Sequence, residues 1–291
     1  MAIFRKNDMD AVTKRIRQFI AGGELHLPAD YSPENAMKSA WLMLQETVDR
    51  DKRPALQVCT RESVYNALLG MAVQGLNPDK KQCYFIVYGN KLMCQRSYFG
   101  SMHVAKMVDP DIVDIYAQTV YADDEFEYEI HIGKEVVTKH VQKLQNIQPD
   151  KIIGAYATIV YKDGRELSTV MTFDQIKQAW KQSQMKPVDD KGNIKAGSTH
   201  DKFTADMCEK TVINKACKYV INSSSDKSIV GRFAREMDAE LKEAEIDQEI
   251  TDNANQEFID IDYTVTDATE ATTDPEPEPA QEPPADDDPG Y

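Results

Sequence analysis

Charge is segregated along this chain, and that limits how much of it can fold. From residue 236 to residue 291 there are 20 acidic residues and a single basic one, Lys242, a net of −19. From about residue 249 onward the chain is rich in Asp, Glu, Thr and Pro and ends EPEPAQEPPADDDPGY. It has too few apolar side chains to offset the entropy of ordering it, so a disordered acidic tail is expected. Within it, EFIDIDYTV (257–265) alternates apolar and acidic residues, a spacer in the plainer reading and a short docking strand in the other. Folding therefore falls to the first 235 residues, whose 33 basic and 29 acidic side chains leave +4. The whole-chain charge of −15 averages two opposite pieces and excludes no anionic ligand.

A folded part of this size suits one domain with appendages, at roughly 100 to 200 residues per domain. No run approaches the ~18 apolar residues a membrane span needs, and MAIFRKNDMD has no apolar stretch after its charges. A soluble protein of the reducing cytoplasm is expected. Cys59, Cys83, Cys94, Cys208 and Cys217 are odd in number and include no C-x-x-C pair, so neither a disulfide framework nor a zinc site is signalled.

Periodicity predicts an α+β fold. Thr60 precedes Val64, Ala67, Leu68, Met71 and Ala72, an amphipathic helix stopped at Gly75. CYFIVY (83–88) and KLMCQR (91–96) flank Gly89-Asn90 as a hairpin covered on both faces, and Ser97 opens a short helix. Alternation predicts strands over 112–121, 126–132 and 136–140, and a second hairpin pairs 153–161 with 166–173. Asp174 is expected to cap a helix, a mobile Lys/Gly/Asp/Pro loop to run over 185–199, and helices to cover 200–221 and 228–246. Val12, Ile16, Phe19 and Ile20 recur at helical spacing and suit protomer contacts or a core equally well. Three regions result: a helical 1–58 with expected oligomer contacts, a core of 59–235, and a helix end with its tail at 236–291.

Two places invite an anionic ligand. In MCEKTVINKACKY (207–219), Val212, Ala216 and Tyr219 share an apolar face, while Lys210, Asn214 and Lys218, with Lys215 and Thr211 slightly rotated, form a polar one. Such a face is often merely solvated. Between Lys177 and Lys218, however, nine lysines stand against five acids, and regularly spaced amines beside a Lys-bearing loop can track a phosphate backbone. The second place is Gln95-Arg96-Ser97-Tyr98-Phe99-Gly100, at the junction of the hairpin and a helix N-terminus, where Arg96 and free N–H groups suit a phosphate and Tyr98 or Phe99 offers a face to a base. A core role for the rings and a carboxylate partner for Arg96 is the even alternative. Asp123, Asp124 and Glu125 would be the ligands of a metal-dependent nuclease, but consecutive acids at a turn point apart more readily than they converge. No phosphate-loop motif for ATP is present.

The stretch MAVQGLNPDKKQCYFIVYGNKLMCQRSYFGSMHVAK resembles the RecT family of phage-type single-strand annealing recombinases. Further matches are Val120-Tyr121 with Asp124, Phe126 and Tyr128, His140, IGAY (153–156), and Met207-x-x-Lys210-Thr211-x-x-x-Lys215-x-x-x-Lys218. The chain departs at Val87, where the family strand has proline, and keeps the Tyr-x-Gly as Tyr98-Phe99-Gly100. The resemblance implies ATP-independent binding and annealing of single-stranded DNA without covalent catalysis. It also implies an oligomer, ring or helical filament, that holds single strand and annealed duplex beside a partner 5′→3′ exonuclease and a host single-strand-binding protein. The setting implied is the cytoplasm of a bacterial host, from a phage or prophage. No cofactor is required, with Mg²⁺ modulating DNA binding. Arg96, Tyr98, Lys210, Lys215 and Lys218 are the DNA contacts it implies. Charge and position add Lys106, Lys177, Lys181 and Lys186, and the helix face adds Thr211 and Asn214. The acidic tail is then a competitor for the basic groove, a partner hook or a solubilising spacer.

Overall fold

The computed structural model describes residues 4–183, 185–225 and 227–253; the 257–265 motif and the rest of the acidic tail lie outside the described residues. The chain opens with helices α1 (Lys6–Ala21), α2 (Pro33–Glu46), α3 (Ala55–Val58) and α4 (Arg61–Val73). Ser32 caps α2 through the Asn35 amide ahead of Pro33, and Thr60 caps α4 through Ser63. Strands β1 (Cys83–Tyr88) and β2 (Lys91–Arg96) form the first hairpin, with Gly89 at φ 57° in its turn, and α5 (Tyr98–Val108) follows. Strands β3 (Ile112–Tyr121), β4 (Glu125–His131), β5 (Lys134–Val141), β6 (Ile152–Tyr161) and β7 (Glu166–Thr172) then make an antiparallel sheet in the order β3-β6-β7-β5-β4. Helices α6 (Phe173–Lys181), α7 (Thr199–Lys202), α8 (Thr204–Ser223) and α9 (Ile229–Asn253) complete the described chain. Two antiparallel sheets and nine helices among the described residues are the expected α+β fold.

One hydrophobic core runs from Phe4 to Ala234 and joins the 1–58 and 59–235 regions, while Ala244 of the third region is buried in a smaller cluster with Tyr88 and Met93. Val12, Ile16 and Phe19 are buried in it, so the N-terminal helical spacing serves the core, and Ile20 alone of that set is exposed. The second half of α4 is buried all round, including Leu69, Gly70 and Val73 outside the amphipathic stripe, because α1, α2, β2 and α9 surround it. Each such large aliphatic side chain contributes about 2 kcal/mol on leaving water.

Three local expectations change. Thr172, not Asp174, caps α6, in a reciprocal box with Gln175. The 185–199 loop is held by a bridge between Val188 and Ile194 that buries Val188. The helix expected over 200–221 breaks at Phe203 into α7 and α8. Behind α8, the five-stranded sheet supplies Ile115, Ala155, Ala157 and Ile159 against Cys208, Val212, Ala216 and Val220. Helix α5 covers a second side of α8, and the arc around Asn214, Lys215 and Lys218 is left to solvent.

Candidate nucleic-acid interface

The buried residues of α8 are Thr204, Cys208, Val212, Ile213, Ala216, Cys217, Val220 and Ile221. This arc turns Asn214, Lys215, Lys218 and Tyr219 outward, all exposed. Tyr219, which the periodicity places on the apolar face, is 68% exposed and lies on the side of Tyr161, over whose ring the Arg165 guanidinium stacks at 4.0 Å. Lys215 and Lys218 have no ion-pair partner among the described residues. Glu209, the acid nearest them on α8, is turned the other way: it accepts from the Thr119 amide and hydroxyl, both at 3.2 Å, and burial pushes its carboxyl up. The outer face of α8 is thus left cationic.

Lys210 sits at one end of this face, its ammonium 5.7 Å from the centre of the Tyr98 ring. Tyr98 is half-buried against Phe99, with ring centres 4.0 Å apart, and Phe99 is 46% exposed. Tyr84, exposed on β1, lies near Tyr98. The structure therefore joins two separately read motifs, the Tyr98-Phe99 pair and Lys210, into one aromatic and cationic corner.

Other expected contacts are already engaged. The Thr211 hydroxyl accepts from the Trp180 indole at 2.8 Å and donates to the Met207 carbonyl at 2.7 Å, so it fastens α6 to α8. Lys177 pairs with Asp174 at 2.9 Å beside the Phe173 ring, and Lys106 pairs with Asp114 at 3.0 Å. Lys181 is exposed and reaches the Asp190 carbonyl at 3.5 Å, and Lys186 is exposed in the loop. Arg96 is the clearest departure from an open phosphate contact. Its side chain is 7% exposed, with donors to Gln74 Oε1 at 2.7 Å and the Ala234 carbonyl at 3.1 Å and a salt bridge to Asp238.

A family model described as the RecT family matches residues 34–254, from α2 to just past the end of α9. The chain belongs to the RecT family. Membership makes it a recombination protein of the class that binds single-stranded DNA and anneals complementary strands. No curated protein matches it.

Two RecT-like motifs acquire structural reasons. In Tyr98-Phe99-Gly100, a Cβ on Gly100 would come within 2.1 Å of the Gln82 carbonyl oxygen, so glycine lets the first turn of α5 seat against the strand entering the hairpin. That seat points Tyr98 at Lys210. The second motif lends the nuclease reading no support. The Asp124 side chain is fully buried and accepts from the Tyr121 amide, Gln142, Asn146 and His140, which together hold its carboxyl below the usual range. Asp123 pairs with Lys151 at 2.8 Å and Glu125 with Lys139 at 2.7 Å. The three carboxylates diverge, and no metal-binding cluster of His, Cys, Asp or Glu occurs among the described residues. His140 also bonds the Tyr156 hydroxyl at 3.1 Å and packs edge-on against Phe126, so this motif is a structural joint between β4, β5 and β6.

All five cysteines are buried free thiols. No helix among the described residues is long and apolar enough to cross a membrane. Tyr219, Tyr84 and Arg165 are the surface residues that sequence reading passed over. Tyr219 carried a signal, since it lies four residues after Lys215 and next to Lys218.

Proposed function

We propose that the protein anneals complementary DNA strands without ATP, holding single strands by their phosphates along the outer face of α8. The observation that carries this reading is the set Lys210, Lys215 and Lys218: amines on one rigid helix, the last two exposed and unpaired among the described residues, with Glu209 turned inward. Amines that grip phosphates leave base edges open, so the complementary strand reads the sequence. Tyr98, Phe99 and Tyr219 add ring faces for stacking. Asn214 lies on the same face, while Lys181 and Lys186, and Lys106 and Lys177 once released from Asp114 and Asp174, are the further phosphate contacts of this reading.

In the wider scheme the protein works as an oligomer, a ring or helical filament. A partner exonuclease supplies the single strand, and a host single-strand-binding protein is handed off or displaced in a bacterial cytoplasm. No residue is given a covalent step and no cofactor is required; Mg²⁺ modulates binding by competing for phosphates.

Lys210→Ala with Lys215→Ala is expected to weaken binding of a labelled oligonucleotide by about ten-fold or more at low salt. It should also lower the slope of log affinity against log salt by about 1.4, since each single-strand phosphate contact contributes about 0.7. Unchanged affinity and slope would remove α8 as the interface. Failure of the wild-type protein to anneal complementary oligonucleotides without ATP would remove the activity.

A further inference from the structure

Arg96 is an unusual use of an arginine. It stands at the end of β2, immediately before the Ser97 cap of α5 and the Tyr98-Phe99 pair that meets Lys210, yet α9 closes over it. The Ala234 carbonyl and the Asp238 carboxylate, both on α9, occupy its guanidinium together with Gln74 from the end of α4, and its Nε is buried with no hydrogen-bond partner. A buried guanidinium with one N–H left dry is an imperfectly compensated charge. Asp238 presents a carboxylate oxygen where a phosphate oxygen would be held in the same way.

The helix that does this is acidic and only partly embedded. Between 232 and 245 it carries Glu236, Asp238, Glu240, Glu243 and Glu245 against Arg232, Arg235 and Lys242. Its packing against α4 is close at one point, where a Cβ on Gly70 would come within 2.3 Å of Met237 Sδ and Gln74 Nε2 touches that sulfur at 2.7 Å. Beyond that point a cleft lined by Glu62, Asn66, Lys91, Glu240 and Glu243 opens between α9 and α4, and α9 is held again only where Leu241 and Ala244 pack against Ile86, Tyr88 and Met93 of the hairpin.

We infer that α9 is an acidic strap that keeps Arg96 out of the DNA interface, and that a DNA phosphate takes the place of Asp238 when the strap lifts. Binding to DNA then has two stages: capture on the open face of α8, and engagement of Arg96 beside Tyr98 once α9 has yielded. The inference rests on the reading of α8 as the DNA-holding face, and it names the regulation of that site. It concerns α9 itself and is separate from any competition by the tail beyond residue 253.

The test uses the full-length protein and a fluorescent oligothymidylate at low salt. Asp238→Asn should bind about five-fold more tightly than wild type, because the competing charge-assisted contact is weakened. Glu236→Gln removes the same charge two residues away, at an exposed position, and should change affinity far less. Adding Arg96→Ala to Asp238→Asn should abolish the gain. A second variant guards against disturbed folding: Gln74→Cys with Met237→Cys places two thiols where the side chains already touch, while the five native thiols are buried. Oxidised, it should bind more weakly and anneal more slowly than when reduced. The strap is overturned if Asp238→Asn matches Glu236→Gln, if its gain survives Arg96→Ala, or if the oxidised staple binds as the reduced form does. Should any of these occur while Lys210→Ala with Lys215→Ala still weakens binding, the strap falls and the α8 interface stands. If that lysine pair proves neutral, the α8 reading falls instead.

Discussion

The outer face of α8 and the niche around Arg96 are both basic, and both come from stretches that match a DNA-binding family, yet the fold treats them oppositely. On α8 the lysines face solvent and the helix's own acid, Glu209, is drawn under Thr119. At Arg96 the guanidinium is drawn under and an acid from a helix some 140 residues later is laid across it. Basic character is a property of composition, whereas availability to a ligand is a property of which carboxylates the tertiary fold brings alongside. Counting positive charge along a sequence cannot separate the two.

The two regions are joined by the first turn of α5, so the largest expected effect comes from forcing that joint. Gly100→Ala drives a methyl into the Gln82 carbonyl and should cost about 3 kcal/mol, read as a lower urea midpoint at unchanged slope. If the midpoint holds, the seat is softer than the geometry says, and the corner uniting Tyr98 with Lys210 is not built by close approach. Next in size is Tyr219→Ala. Exposed as it is, its loss should leave stability nearly unchanged while reducing single-strand affinity by about 1 to 2 kcal/mol, the usual worth of one stacked base. Equal affinity would confine the interface to the Lys210 end of α8 and narrow the contrast with Arg96.

The smallest expected effect is on pH dependence. Burial holds the His103 imidazole below its ordinary value, helped by Lys80 and Lys106 and opposed by Asp30, and its Nε2 has no partner. Burial and Lys210 lower His200 as well, where it packs against Trp180. Both therefore stabilise the fold fully above about pH 6.5, the free imidazole value, and this contribution is lost as pH falls below it, because the unfolded chain takes up the protons first. Denaturant midpoints should fall between about pH 7.5 and pH 5.5, and His103→Gln should flatten part of that fall. A midpoint independent of pH over this range would show that neither imidazole is held neutral.

Legibility followed the range of the interactions. The β1–β2 hairpin, the β6–β7 hairpin and α4 were readable because turn residues and hydrophobic period are local. The helix α2 was read only as part of a helical 1–58 although Ser32-Pro33-Glu34 is a strong opening signal, since its apolar positions, Ala36, Met37, Ala40 and Leu44, are masked by neighbouring exposed Leu42 and half-buried Trp41 and Met43. For the site, the sequence placed Lys210, Lys215 and Lys218 correctly on one helix. It missed the outward turn of Tyr219, whose place four residues after Lys215 was the signal and whose period set it on the apolar face instead. Thr211 and Arg96 were named as DNA contacts, but Trp180 and Asp238 reach them from 31 and 142 residues away, distances that no local pattern spans.

By itself the sequence determined that the chain folds as α+β and that one helix carries a repeating cationic face, because period and turn chemistry are written residue by residue, whereas α9 runs on to Asn253, past the 235 residues that charge alone sets apart. Only the tertiary structure decided which charges remain open. It spent Asp123, Asp124 and Glu125 on separate partners, turned Glu209 inward, and closed α9 over Arg96, because a charge is neutralised or left free by what lies beside it in space, and those neighbours are assembled from the whole length of the chain.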